Sequence, residues 1–445
     1  MIGLIKTLQV ILALGILIVV HELGHFTFAK LFKIRVEKFF LFFDAGEFKL
    51  LSTKTGWFSK IFPKAKEWET EYGIGWLPLG GYCKIAGMID ESMDTEHLKS
   101  EPQPWEFRSK PAWQRLLVMA GGVLFNIIFA IATYSTILDI WGESYIQNEG
   151  NSIYVNDLAY EMGFRNGDRI LAYDDYIPTD FNMLQVDLVR RGTHKATILR
   201  GEDTLSIYID HSMIGQVLHT PGMFSLAYPF VVSSIAEDSP NQEAGLEEGD
   251  RIIAIDSTQT EFVQDAWKIL ADHKGTEVMA TITRDSDTLF KSMQVDTAGR
   301  LGVFLKPIEV QAREYTFLSA IPAGCRKTFS SIGGYVKDLK LVATPGTEAY
   351  KSVGSFISIG KIFPSTWNWL GFLSIIAMLS IMLAVMNLLP IPALDGGHIV
   401  FTLFEMITGR KPSDKFLMVT QVIGMILIFG LMFLAFGNDI AGLLR

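Results

Sequence analysis

His21-Glu22-Leu23-Gly24-His25 stands directly after the apolar run Ile11-Leu-Ala-Leu-Gly-Ile-Leu-Ile-Val-Val20 and leads into Phe26-Thr-Phe-Ala-Lys-Leu-Phe32. Positions four apart share one face of a helix, so His21 and His25 can offer two imidazoles to a single metal ion. Glu22, turned by about 100° from His21, lies beside that ion in the place of a general base. The setting sharpens the motif. A His-Glu-His cluster at the end of a hydrocarbon-length helix is costly unless it binds something, and ionisable groups at such depth mark functional sites.

The composition around the motif is that of a membrane protein with a substantial soluble portion. Of the 445 residues, 49% are hydrophobic and 20% charged, against about 25% charged in soluble domains. Mean hydropathy is +0.27. Four stretches reach the roughly 20 apolar residues of a spanning helix, at 3–29, 116–140, 369–389 and 416–436. The first is longer than the apolar core of a cleaved leader and no small-x-small site follows it, so it is expected to be retained. The second carries Gly121-Gly122 and Asn126, and its small residues permit close helix packing. A net charge of −9 argues against nucleic-acid binding, which needs a basic surface. Two cysteines, Cys83 and Cys325, make no disulfide framework.

Basic residues near the membrane ends set the expected orientation. Lys30, Lys33, Arg35, Lys110 and Arg115 follow the first span or precede the second, and Arg410, Lys411 and Lys415 lie between the last two. Both loops are therefore expected in the cytoplasm, with both termini and the 141–365 segment outside. This puts Cys83 and Cys325 on opposite sides of the bilayer, and the metal motif toward the cytoplasmic leaflet.

Within the first loop, Gly73-Ile-Gly-Trp-Leu-Pro-Leu-Gly-Gly-Tyr-Cys-Lys84 alternates glycine with apolar residues. The pattern suggests a β-hairpin dipping into the membrane, tolerated where protein or a cavity satisfies its backbone. Its edge could pair with an extended peptide.

The 141–365 segment holds an internal repeat. Gly163-Phe-Arg-Asn-Gly-Asp-Arg-Ile-Leu-Ala172 recurs as Gly245-Leu-Glu-Glu-Gly-Asp-Arg-Ile-Ile-Ala254, each copy followed by β-alternating sequence. The spacing is wider than the roughly 20–50 residues of solenoid units, which favours two tandem small domains. The G-x-x-x-G-D-R-I pattern resembles PDZ domains, which bind peptides as an added strand. The receiving strand of the second copy is expected to begin near Tyr228-Pro-Phe-Val231. Beyond the second copy, Phe329, Ile332, Val336, Leu339 and Val342 recur at helical spacing, either as an amphipathic helix on the outer membrane face or as an ordinary packed helix.

A catalytic zinc takes three protein ligands. Of the other six histidines, His97 lies in the first loop, and His194, His211, His219 and His273 fall in the repeat segment. The third span runs into Asn387-Leu-Leu-Pro-Ile-Pro-Ala-Leu-Asp-Gly-Gly-His398, where two prolines break the helix and present Asp395 at membrane depth. A buried carboxylate needs a cation partner. Asp395 is therefore the preferred third ligand and His398 the alternative.

Taken together, His21-Glu-Leu-Gly-His25, Pro78-Leu-Gly-Gly-Tyr82, Asn387-Leu-Leu-Pro-Ile-Pro-Ala-Leu-Asp-Gly396 and the paired PDZ-like repeats resemble the bacterial site-2 proteases, the RseP type of zinc intramembrane metalloprotease, over most of the chain. The resemblance implies one zinc ion (Zn2+) on His21, His25 and Asp395, with Glu22 as base. It also implies that Asn387 contacts substrate backbone and that the hairpin, with Gly75, Pro78, Gly80, Gly81 and Tyr82, holds an unwound substrate helix as an added strand. The implied substrate is a single-pass transmembrane protein in the lipid bilayer of the bacterial inner membrane, an anti-sigma factor or a remnant signal peptide. Two departures concern local backbone only: Ala120-Gly121-Gly122 stands where the family often reads A-G-P, and Gly354-Ser355 where it often reads Gly-Pro.

The expected fold is a polytopic α-helical membrane protein of four transmembrane helices, with a membrane-associated β-hairpin and two tandem PDZ-like α+β domains. Its parts are 1–140 (two spans, metal motif and hairpin loop), 141–227 and 228–310 (the PDZ-like domains), 311–366 (amphipathic linker on the outer face) and 367–445 (two spans and the third ligand). The outer domains would bind peptide ligands or exclude bulky substrates. Two rival classes are a PDZ-bearing membrane scaffold, which an absent base or third ligand would mark, and a metal or ion transporter, which inverted repeats of broken helices would mark.

Overall fold

The computed structural model describes residues 2–78, 80–88 and 101–444, so Leu79 of the expected hairpin and His97 lie outside it. The chain forms two units, one of residues 1–143, 314–343 and 349–445, the other of residues 144–313 and 344–348.

The first unit starts with helix α1 (Ile2–Leu31), an uninterrupted apolar run with no proline. Strands β1 (Val36–Leu41) and β2 (Lys49–Ser52), the short helix α2 (Gly56–Ile61), and strands β3 (Glu71–Gly75) and β4 (Tyr82–Ile85) follow. The expected hairpin is corrected here. β3 and β4 do not pair with each other, because β1 lies between them, parallel to β3 and antiparallel to β4, in a sheet ordered β2-β3-β1-β4. The physical reason is close approach: a side chain at Gly75 would strike the Phe42–Phe43 backbone, and one at Gly73 the Phe40 ring. The glycines of this stretch fit it against β1 rather than turn it back on itself. Helix α3 (Ala112–Trp141) starts after Pro111 and stops at Gly142, whose φ of 67° lets the chain leave the helix. It crosses α1 where a Cβ on Gly24 would meet the Gly121 carbonyl, the close packing that small residues allow.

β5 (Glu143–Ile146), whose residues after Glu143 fall in the second unit, pairs with a later strand. The first repeat copy comprises β6 (Ile153–Val155), α4 (Asp157–Glu161), β7 (Arg169–Tyr173), α5 (Leu184–Arg190), β8 (Lys195–Arg200), β9 (Asp203–Tyr208), α6 (Ile214–His219) and β10 (Phe224–Leu226). The second comprises β11 (Val232–Ile235), β12 (Arg251–Ile255), β13 (Thr258–Gln259), α7 (Val263–Asp272), β14 (Glu277–Arg284), β15 (Asp287–Gln294) and β16 (Val303–Leu305), and β17 (Val310–Arg313) then joins β5. The copies are wired alike. Asp168 takes two hydrogen bonds from Arg200, and Asp250 two from Arg284. The same arginines reach back to the Gly163 and Gly245 carbonyls. The stretch at 228–231 is bridged to Phe262 through Pro229 and to Arg251 through Val231, and leads directly into β11, which pairs with β16.

The chain returns to the first unit with α8 (Phe317–Val342), α9 (Phe356–Ile362), α10 (Trp369–Leu388), α11 (Asp395–Thr408) and α12 (Asp414–Leu444). α8 is not a helix lying alone on a membrane face. Its Ile332, Tyr335 and Leu339 pack against Ala130, Tyr134 and Ile137 of α3 and Ala377, Ile381 and Val385 of α10, while Phe329 and Val336 point outward. α10 starts under an Asn368 cap and ends before Pro390. Arg115 of α3 pairs with Glu405 of α11. Among the described residues, four helices are long and apolar enough to cross a membrane, at Gly3–Leu31, Ala112–Trp141, Trp369–Leu388 and Lys415–Gly442. They match the four expected spans within a few residues at most ends.

Candidate metal centre

His21 and His25 project from one face of α1, their Nε2 atoms 3.3 Å apart. Asp395, the first residue of α11, places Oδ2 at 3.3 Å from His21 Nε2 and 3.4 Å from His25 Nε2. A zinc ion with bonds of about 2.05 Å in tetrahedral array needs donor atoms about 3.3 Å apart. The three atoms already stand at that spacing. Oδ2 of Asp395 is buried and no donor reaches it in hydrogen-bond geometry, as a carboxylate facing a cation requires. Among the described residues, this is the group of His, Cys, Asp or Glu side chains whose ligand atoms converge.

The elements around the triad explain how it is held. The two prolines end α10 and start a short turn, in which Ala393 has a φ of 85°, before the chain re-enters a helix at Asp395. Gly396 and Gly397 let that helix sit directly on the turn, since a Cβ on either would strike backbone at 388–392. On α3, a side chain at Gly122 would meet both imidazoles. The glycine at this departure from the family pattern is therefore what gives the rings their room.

Each imidazole has a partner on its far nitrogen. His25 Nδ1 lies 2.8 Å from the Val118 carbonyl, which can only accept, so Nδ1 carries the proton and the Nε2 lone pair faces the centre. Asn126, fully buried on α3, has its amide 3.0 Å from His21 Nδ1 with Oδ1 left unpartnered. Amide oxygen and nitrogen are assigned from the network rather than seen. Turning this amide over gives Oδ1 the Nδ1 proton and frees His21 Nε2 as well. Ser380 of α10 donates to the Asn126 carbonyl, 2.9 Å away, and ties a third helix to the same point.

Glu22 lines a cavity of about 530 Å³ together with the triad, Asn387 and edge strand β4, and the Cys83 amide donates toward its carboxylate. Burial and the Glu22 charge push the Cys83 thiol well above its ordinary range, so it stays protonated. Of the loop residues singled out in the sequence, Gly81 and Tyr82 reach the cavity wall, whereas Gly75, Pro78 and Gly80 do not. Tyr82 is held by stacking on Phe40 and by a 2.9 Å hydrogen bond to Asp44. His398, three residues beyond Asp395 on α11, lines this cavity and a second one of about 200 Å³ but is not among the converging donors. The sequence reading missed the roles of Asn126, Gly122 and the Val118 carbonyl. The signal for Asn126 was present: an amide within a spanning stretch.

The chain is 29% identical over 466 residues to the regulator of sigma-E protease RseP of Salmonella typhimurium, covering 97% of this chain and 98% of that one. It is 27% identical to the RseP of the same name from Escherichia coli, at the same coverage. A Xylella fastidiosa protein provisionally named a zinc metalloprotease is also 27% identical, again over 97% and 98% of the two chains. The model of peptidase family M50 matches residues 9–431, nearly the whole sequence, and the chain belongs to that family, the site-2 proteases.

Proposed function

We propose that the protein is a zinc-dependent endopeptidase that cuts transmembrane segments of single-pass membrane proteins within the bilayer. The observation that carries this reading is the triad of donor atoms 3.3–3.4 Å apart, set beside a glutamate at the end of a spanning helix. His21, His25 and Asp395 would hold the zinc, which supplies Lewis acidity toward water and a peptide carbonyl. Val118 and Asn126 keep both Nε2 lone pairs directed inward. Glu22, oriented by the Cys83 amide, takes a proton from the attacking water and passes it to the leaving amine.

A substrate helix hides its carbonyls in its own hydrogen bonds and must unwind before it is cut. β4 has β1 on one side only among the described residues, so its other edge can receive an extended segment as an added strand, with Asn387 holding a further backbone group. Substrate residues of poor helix propensity should favour cleavage. The names of the Salmonella and Escherichia relatives, regulators of sigma-E, favour an anti-sigma factor as the substrate, with remnant signal peptides as the alternative. Two PDZ-like domains, 141–227 and 228–310, would take peptide ligands, and the matched Asp–Arg wiring of the copies supports reading them as one domain type. Lysine and arginine counts favour a cytoplasmic first loop and outer PDZ-like domains.

The test compares wild type and Glu22→Gln, both purified, zinc-loaded and reconstituted with a model transmembrane substrate. Loss of general acid–base catalysis should lower turnover about 10²–10⁴-fold with zinc retained. Normal turnover by the folded, metal-loaded variant refutes the assignment.

A further inference from the structure

Between β2 and β3 the chain makes an excursion, residues 53–70, that contributes nothing to the metal centre. Its helix α2 is built inside out. The residue it buries is Ser59, whose hydroxyl bonds back to the Gly56 carbonyl, whereas Trp57 and Ile61 are 57% and 61% exposed. Phe62 and Trp68 just beyond are exposed as well, and Phe58 bridges Trp57 and Phe62 by ring contacts. An element with a hydroxyl inward and indole and aliphatic groups outward is covered by another apolar medium.

Two observations say which medium. The first is position. Glu69 pairs with Lys30 in the last turn of α1, at 2.5 Å. The rings of Phe26, Tyr72 and Trp68 are in contact in sequence from α1 to the excursion. The segment thus leaves the sheet level with the end of the first spanning helix. The second is charge. Lys54, Lys60, Lys64 and Lys66 are interspersed in sequence with the exposed apolar residues, against one acid, Glu67, within 54–68, and form no ion pair among the described residues, in a chain whose net charge is −9. Aromatic rings interspersed with lysines are the composition of a segment seated at a membrane interface, where lysine stems lie along apolar surface and the charged ends reach outward, and the lysines select anionic headgroups.

We infer that residues 54–68 form an interfacial anchor that docks on an anionic lipid surface, with the Trp57, Ile61 and Phe62 side chains in the headgroup–acyl boundary and the four lysines on lipid phosphates. The anchor is fused through β3 to the sheet whose far edge, β4, borders the metal centre. It thereby sets the height of that edge relative to the bilayer. The inference rests on the membrane setting alone and stands or falls separately from the proteolytic reading.

Hydrogen exchange followed by mass spectrometry on the full chain in nanodiscs tests it, with phosphatidylcholine discs compared with discs containing phosphatidylglycerol. Backbone amides of 54–68 should exchange about tenfold more slowly in the anionic discs at low salt, and the difference should shrink at high salt as charges are screened. The quadruple variant K54Q/K60Q/K64Q/K66Q should lose the dependence on lipid charge. The triple variant W57S/I61S/F62S should lose protection in both lipids. Peptides from β1 and β4 must exchange as in wild type in each variant, which shows that the sheet is folded. Exchange at 54–68 that is indifferent to lipid charge overturns the inference. So does protection that grows with protein concentration in detergent, which would assign the surface to a second copy of the chain.

Discussion

Two buried carboxylates, Asp395 in the first unit and Asp250 in the second, show what separates a binding site from a structural pin. Asp250 is closed on all sides: Arg284 donates to both of its oxygens, and the Glu247 amide donates to one of them. Asp168 in the sister copy has the same set from Arg200 and the Arg165 amide. Each pin finds its cation about thirty residues downstream in its own repeat copy. Asp395 has two imidazoles for neighbours and an oxygen without a donor. A buried charge that the chain leaves uncompensated has been left for something the chain does not encode. What this teaches is to count donors around a buried acid before asking how well it is placed.

The sharpest way to break the contrast is to neutralise each acid in turn. If Asp395 is one of three metal ligands, as proposed, Asp395→Asn should lower bound zinc below about a tenth of wild type and cleavage by more than 10³-fold; elemental analysis of the purified, folded variant checks it. Wild-type zinc content would pass the ligand role to His398 or another group. Asn126→Leu sits one shell out. Losing the partner of His21 Nδ1 should weaken zinc binding by roughly 10–100-fold in chelator competition, and Asn126→Asp should recover most of it, since a carboxylate also accepts the Nδ1 proton. In the second unit, Asp250→Asn should leave zinc content unchanged while lowering the stability of that unit by about 2 kcal/mol, measured by pulse proteolysis within 228–310. The smallest effect is in pH. Arg284 holds the Asp250 carboxyl below the usual range, so the pair's contribution is complete above about pH 4 and is lost as the pH falls through the lowered folded-state pKa. Pepsin susceptibility of β12–β14 should rise there in wild type and stay flat in Asp250→Asn.

The spans and the triad's residues were legible because membranes impose harsh local rules: a run of apolar residues has one use, and ionisable side chains inside it have few. Asp395 could be picked out because Pro390 and Pro392 announce a broken helix. The β-sheet was less legible. Alternation showed that Gly73–Lys84 was extended, but nothing in those residues says that a strand forty positions earlier lies between its two halves. That depends on where glycines let backbones meet, which is a property of pairs. For the same reason, Phe329 and Val336 carried the right period for α8 yet stand exposed at the rim of the apolar stripe whose middle, Ile332, Tyr335 and Leu339, is packed, because only the neighbouring helices decide how much of such a stripe is covered.

Gly424 of α12 faces the turn at Pro392 so closely that any side chain there would take the place of the Pro392 carbonyl, and the next residue in that turn, Ala393, is held at a φ that non-glycine residues rarely adopt. Among the described residues the last helix carries none of the converging donors, but it works as a wedge: it keeps a cocked hinge from springing back and so keeps Asp395 aimed. A chain ending before residue 416 would retain His21, Glu22, His25 and Asp395 and still fail to assemble the centre.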